Sequence, residues 1–361
     1  MPSATAAVGR FQAHGYFPEA DWLWRRIPTS PTLDVNSATW AGYFGVSDGA
    51  AGHKHICDIV QFGVALRGPG GSSGSGVIST TPRYDVVFRQ ANGGGGDEWG
   101  PDPFSATMPW TADILVPGIT TPGITPTNAP PYDGHVGVAD PTTGQVFSVW
   151  RAYDNGATKS GWWGRQVALY GDGREGGAAQ QGSSTGARLS RYGAVIRASE
   201  MTAAAAAGYR SLDHALFFST NIASSVVRYP ASVGDGANGS GVATPIPEGA
   251  RVQLDPSINV DGISGITTWE RIIAKTLQTY GAYVGDNGAE RMAFVFEYLG
   301  EGTTPNQPYI DVYGSIFDFY DMTHIPWSSL RVLKNWDGSS DDPIGGAMLI
   351  DSGRIDSSTI G

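Results

Sequence analysis

Residues 134–170 read GHVGVADPTTGQVFSVWRAYDNGATKSGWWGRQVALY. Three apolar-rich runs, 134–139, 145–151 and 162–170, are separated by turn-forming clusters such as Asp154-Asn155-Gly156. Short runs of β-branched and aromatic residues bounded by Gly, Asn and Asp read as strands. Several strands at this spacing are the pattern of a sandwich or barrel. The same reading extends outward to 56–66 and 84–88 upstream. Downstream, 282–284 and 291–298 flank Asp286-Asn287-Gly288, which reads as strand, tight turn, strand. Within 291–298, Met292, Phe294, Phe296 and Tyr298 share one face, and Arg291, Ala293, Val295 and Glu297 share the other. The expected fold is all-β: an antiparallel β-sandwich of jelly-roll type, with two short helices and long Gly-rich loops.

The helices are expected over 198–207 and 268–280. In the second, Thr267 and Glu270 form a capping box, and Trp269, Ile272, Ile273, Leu277 and Tyr280 fall on one face. Gly208 and Gly281 supply left-handed stops. Residues 68–76, 91–103 and 171–186 are Gly-rich loops by composition. Three regions follow: an irregular aromatic N-terminal arm over 1–26, one sandwich domain over 27–335, and a polar C-terminal tail over 336–361 that is flexible unless a partner orders it.

The chain has 361 residues, of which 51 are Gly and 16% are charged, against about 25% in an average protein. With 40% hydrophobic and 11% aromatic residues it can bury a core, which excludes full disorder. A net charge of −11 disfavours nucleic acid and anionic membrane surfaces as partners. No run is long enough to insert in a bilayer, and residues 1–10 lack a signal-peptide pattern. Cys57 is the single cysteine, so packing or partner subunits must replace intrachain disulfides.

Candidate chemistry is scattered. Gly171-Asp172-Gly173-Arg174-Glu175-Gly176 matches a dinucleotide fingerprint, but no helix pattern follows it. Residues 70–74 and 182–186 match GxSxG within low-complexity loops, outside the strand-to-helix context of a nucleophile elbow. His53, His55 and Cys57 would share one strand face as a metal trio, with a polar strand start as the favoured reading. No metal or other cofactor is expected. Asp213 and His214 precede an apolar run and suit acid–base work in a cleft. Glu297 lies in an apolar strand, where burial favours its protonated form and so a general acid. Asp286, Glu248 and Asp255 are candidates for the second carboxylate that glycoside hydrolysis needs. Trp162 and Trp163, with Trp150 and Tyr192, are candidates for a platform that stacks sugar rings.

Certain segments carry a resemblance. They are IPEGARVQLDPS at 246–257, QTYGAYV at 278–284 with DNG at 286–288, and IPWSSLRVL at 325–333. Upstream, IPT at 27–29, LDVNS at 33–37 and LDHAL at 212–216 fit the same pattern. Over 27–333 the chain resembles minor tail proteins of bacteriophages that infect mycobacteria and related actinobacteria. It is also similar to secreted actinobacterial proteins without an assigned activity. The resemblance implies a structural virion component at the distal tail, assembled in the host cytoplasm. Its implied partners are other tail proteins and further copies of itself, with contact to host cell-envelope glycans during adsorption. No catalytic residue of that family carries over. The alternative expectation is a tail-borne depolymerase, a glycoside hydrolase or lyase, working through Asp213, His214 and Glu297, with Trp162, Trp163 and Tyr192 holding the sugar.

Overall fold

Met292, Phe294, Phe296 and Tyr298 alternate with Ala293, Val295 and Glu297, and all seven side chains are buried. A strand buried on both faces belongs inside a sheet covered on both sides. The computed structural model describes residues 15–28, 30–46, 55–59, 62–69, 71, 76–88, 104–117, 133–154, 156–177, 182–300 and 320–334. In it Met292–Val295 is an inner strand of a seven-stranded sheet. The strand order is Tyr320–Asp321, His55–Asp58, Met292–Val295, Leu216–Thr220, Ala282–Asn287, Arg251–Leu254 and Leu330–Val332. The fold is β-rich, as the sequence implies, but the sheet is mixed rather than antiparallel. His55–Asp58 runs parallel to Met292–Val295, and Leu216–Thr220 runs parallel to Ala282–Asn287.

The expected hairpin around Asp286-Asn287-Gly288 explains the difference. The chain does reverse there, but Leu216–Thr220 lies between the two strands, parallel to one and antiparallel to the other. Asp286 and Asn287 continue the strand instead of turning. The connection then arches over the end of Leu216–Thr220, where Gly288 N–H bonds Thr220 O at 3.2 Å and Asn221 N–H bonds Glu290 O at 2.9 Å. A turn signal fixes a reversal of direction and leaves open which strand fills the gap.

The strands read from 134–170 form a second sheet, in the order Trp163–Ala168, Gln145–Trp150, His135–Asp140 and Val64–Arg67. The first three pair antiparallel as expected, and Val64–Arg67 joins parallel. The sheets meet just beyond Val295. Val64 N–H bonds Phe296 O at 3.0 Å, and Tyr298 N–H bonds Val64 O at 2.8 Å.

Alternation sends Leu216, Phe218, Val284 and Phe294 into one core, and Phe217, Tyr283 and Val295 into another. Helix Thr268–Thr279 covers the first with Trp269, Ile272, Ile273 and Leu277, and Thr267 with Glu270 closes the capping box. Helix Ala198–Ala206 forms where expected, and two further helices, Asp21–Trp24 and Ser37–Phe44, accompany them. The described part of the expected N-terminal arm packs against the rest of the chain. Tyr16, Phe17, Trp22, Leu23 and Trp24 are buried in the second core, and Trp22 Nε1–H bonds Asp172 O at 2.7 Å. These aromatics dock on their own chain because the second face of the sheet needs an apolar cover. Residues 1–14 and the expected tail 336–361 lie outside the described residues.

One irregularity positions the site. Phe218 pairs with Val284 and Ser219 with Asp286, so Gly285 has no partner in the register. Such a bulge places two residues opposite one and resets the alternation beyond it. Asp286 thereby joins the side of Phe217, whose ring lies 5.4 Å from the Arg191 guanidinium that binds Asp286. Only glycine fits the bulge, because a Cβ at Gly285 would stand 1.8 Å from the Phe217 ring. Gly285→Ala is expected to lower the free energy of unfolding by about 1–3 kcal/mol through overpacking. An unchanged denaturation midpoint would show that the bulge yields freely.

Candidate active site

A cavity of about 460 Å³ opens where Asp286 and Asn287 leave their strand. Residues 183–186, Arg188 and Arg191 form one wall. Asp133, His135, Trp150 and Trp163 enter from the second sheet, and Phe62, Val233 and Asp235 complete the lining. Phe62 is held by its own N–H, which bonds the Asp58 carboxylate at 2.8 Å.

Two carboxyl groups converge on Gly186. Asp286 accepts the Gly186 N–H at 3.1 Å on Oδ1, and on Oδ2 the Arg191 Nη2 donor at 2.5 Å. Asp235 Oδ1 accepts the Asn287 N–H at 3.2 Å and lies so near that a Cβ at Gly186 would be 2.1 Å from it. The absence of a side chain at Gly186 is therefore what lets the two acids flank one backbone position. Burial, helped by the Asp235 charge, pushes Asp286 up to about 7, against the pull of Arg191 and the Gly186 N–H. Arg191 is itself fixed by Nε–H donation to Ser184 O at 3.1 Å and by the Phe62 ring, 4.3 Å away. Asp133 stands 3.8 Å from His135 Nε2. Burial and the Arg191 charge push His135 down to about 4, so its imidazole is neutral near pH 7.

The two Gly-rich motifs meet. Glu175, from the GxGxxG match, is buried beneath residues 183–185. It accepts Ser183 Oγ–H at 3.0 Å, Ser184 N–H at 2.7 Å and the Ser184 hydroxyl. The segment is a loop clamped by a carboxyl group, neither a phosphate cradle nor a strand-to-helix elbow. Its work is to hold Gly186 and Arg191 in place. The GxSxG match at 70–74 falls largely outside the described residues.

Of the aromatic candidates, Trp163 lines the cavity directly opposite Trp150 in the strand register. Trp162 is half-buried beside it and packs edge-on to Trp150 with ring centroids 5.7 Å apart. The Arg151 guanidinium lies 4.0 Å from the Trp162 ring and 4.9 Å from that of Trp150. Tyr192 is corrected: it is 0% exposed, packs on Tyr16, and donates its hydroxyl to Arg67 O at 3.3 Å. It cannot face a glycan because it fills the second core.

The expected acid–base trio does not line the cavity. Asp213 pairs with Arg210 at 2.9 Å near the surface. His214 is sealed, with Nδ1 2.8 Å from Ala215 O and Nε2 3.1 Å from the Glu200 carboxylate. Glu297 is buried as expected, but it accepts the Ala198 N–H at 3.2 Å at the start of helix Ala198–Ala206. Its carboxyl serves a helix N-terminus. Of the second-carboxylate candidates, Asp286 is in the cavity and Glu248 lies behind Asp235, whose N–H it accepts at 3.2 Å. Asp255 instead accepts the Ser257 N–H in an exposed turn. In the metal trio, His55 stacks on Trp327 at 4.2 Å with Nε2 2.6 Å from Phe44 O, and burial pushes the Cys57 thiol up. His53 lies outside the described residues, among which no three His, Cys, Asp or Glu side chains gather as a metal site.

Comparison with family models, curated proteins and solved structures found no match. Sequence reasoning missed Asp133, His135, Asp235, Arg188 and Arg191. The available signal was two arginines closely following the GxSxG loop in a chain with few charges.

The raised Asp286 pKa has a consequence for stability. An unfolded aspartate releases its proton near 3.9, whereas native Asp286 keeps it to about 7. Its contribution is complete below about 4 and is lost as pH rises to about 7. Asp286→Asn is expected to flatten the fall in unfolding free energy across that window. The check is a set of urea melts from pH 4 to 8, and equal slopes in both proteins would exclude a raised value.

Proposed function

We propose that this chain is a minor tail protein of a bacteriophage whose cleft binds and cleaves a polysaccharide of the host cell envelope. The observation that carries the catalytic part is the juxtaposition of Asp286 and Asp235 across Gly186, beside Trp150 and Trp163. Indole rings offer flat apolar faces to sugars, and convergent polar groups orient the hydroxyls. Asp286 retains its proton near neutrality and suits the general acid, donating to the glycosidic oxygen as that bond breaks. Asp235 is the second carboxylate. It takes a proton from the water that adds to the anomeric carbon, and return of that proton to Asp286 through solvent completes the cycle. Trp163 and Trp150 stack the sugar, Asn287 and Arg188 meet its hydroxyls, and Arg191 holds Asp286 in place.

The tail assignment rests on the sequence resemblance. Its supports are an acidic, Gly-rich chain with a single cysteine. Tail subunits assemble without disulfides and then face the outside. Neighbouring tail proteins and further copies of the chain are the proposed partners, and the assembled virion is the proposed location.

The test is to incubate the folded protein with actinobacterial cell-wall arabinogalactan and follow new reducing ends. Asp286→Asn and Asp235→Asn are each expected to lower release by about 10²-fold or more. Trp163→Ala is expected to raise KM more than it lowers kcat. A folded sample that neither releases reducing ends nor binds the polysaccharide would leave the cleft without a glycan role. Antibodies to the chain are expected to label the distal tail in virion micrographs, and labelling of heads alone would remove the tail assignment.

A further inference from the structure

We infer that Glu248 is a positioning residue of this cleft that works as a protonated acid, its carboxyl O–H donating to the Asp235 carboxylate. The inference rests on the reading of Asp235 and Asp286 as the working pair.

Glu248 ends the Ile246–Glu248 strand, which runs parallel to Ala223–Val227 with Val227 opposite Glu248. The strand pairing fixes its backbone, and its own side chain is fully buried. One carboxyl oxygen, Oε1, accepts the Asp235 N–H at 3.2 Å. The other, Oε2, has no protein partner among the described residues. It is crowded from behind, since a Cβ at Gly234 would lie 3.3 Å from it. Arg228 donates its main-chain N–H to Glu248 O at 2.8 Å, and its guanidinium binds the Asp34 carboxylate at 2.7 Å. The charged groups that act most strongly on Glu248 are Asp235 and Asp286, both acidic.

An ionised carboxylate without a cation, buried beside a second acid, carries an uncompensated desolvation cost. A protonated one has a donor to place, and the Asp235 side chain, within hydrogen-bonding reach of the Glu248 carboxyl, is the acceptor. The pair then closes a ring: Asp235 N–H to Glu248 Oε1, and Glu248 Oε2–H to the Asp235 side chain. That ring fixes the Asp235 side chain from behind, while Asn287 N–H holds it from the cleft side. Burial and Asp235 push Glu248 up to about 9, so the ring persists across neutral pH. In this state the residue has the shape of a glutamine, whose amide offers an acceptor oxygen and an N–H donor in the same places.

The equivalence is the test. Against arabinogalactan, Glu248→Ala is expected to lower kcat by about 10²-fold with little change in KM, because a loosened second carboxylate costs rate rather than binding. Glu248→Gln is expected to restore most of that loss and to remove the alkaline limb of the pH–rate profile contributed by this group. If Glu248→Gln is as slow as Glu248→Ala while both fold, the donor role is wrong. A second measurement needs no turnover. At pH 8, where Asp286 is largely ionised and Glu248 keeps its proton, the wild-type protein is expected to show an infrared carbonyl band of a protonated carboxyl group that disappears in Glu248→Gln. A band unchanged by the substitution overturns the inference even if the glycan activity stands. A band that disappears in a protein without activity supports the protonated pair and counts against the catalytic reading alone.

Discussion

The bulge at Gly285 is the constraint on which the cleft depends. A regular ladder would send Asp286 toward the core that holds Val284 and Phe294. The extra residue turns it to the Phe217 side, where Arg191 waits. The same glycine ties down the opposite wall, because Ala187 N–H bonds Gly285 O at 3.0 Å. One unpaired residue therefore aims the acid and anchors the loop that surrounds it. Glycine is required twice over, at 285 by the Phe217 ring and at 186 by the Asp235 carboxylate. Bulges are concentrated beside functional sites because they re-aim a side chain without moving the sheet.

Around that point the electrostatics separate four acids by environment. Asp286 has a cation and a main-chain donor, yet burial keeps it near neutrality. Asp235 has two main-chain attachments and the open cleft. Burial and the Asp235 charge push Glu248 up to about 9. Glu175 is buried too, and its bonds go to the loop rather than to the cavity. Unequal surroundings for neighbouring carboxyl groups are how one site supplies an acid and a base at the same pH. The neutral His135, depressed by burial and by Arg191, adds no competing positive charge to that balance.

What the sequence disclosed follows the range of the forces involved. The capping box of Thr267 and Glu270 is a three-residue interaction, and the helix it announces begins where expected. The strands around Gly134 to Tyr170 pair through short connections, and they too were legible. The parallel insertion of Leu216–Thr220 beside Ala282–Asn287 links segments more than sixty residues apart, and no local pattern encodes it. The site shows the same division. Glu297 is buried, as its apolar strand implies, but only the tertiary structure reveals that it caps a helix. Asp286 and Glu248 were visible as acids near apolar strands, whereas Asp235 sits in a Gly-rich turn that reads as connection and acquires its role through residues 186 and 287. Tyr192 and Trp163 are alike in sequence as aromatic residues followed by glycine, but Tyr192 fills the second core and Trp163 lines the cavity.

The clustering of these acids bears on whether the fold is scaffold alone. A subunit that only builds a tail gains nothing from placing Asp286 and Glu248 where ionisation is opposed, or from crowding Asp235 against Gly186. Apolar or amide side chains would fill the same space without the desolvation cost of buried carboxyl groups. Sequences that satisfy local rules elsewhere and break them together in one concave region do so at functional sites. Elsewhere, buried carboxyl groups are spent on structure: Glu297 on a helix start, Glu270 on a capping box and on His324, Asp58 on the turn to Phe62. Asp235 and Asp286 differ in facing a cavity that the fold keeps open. Two acids facing one cavity, with indoles alongside, are the arrangement that the proposed cleavage of a sugar requires.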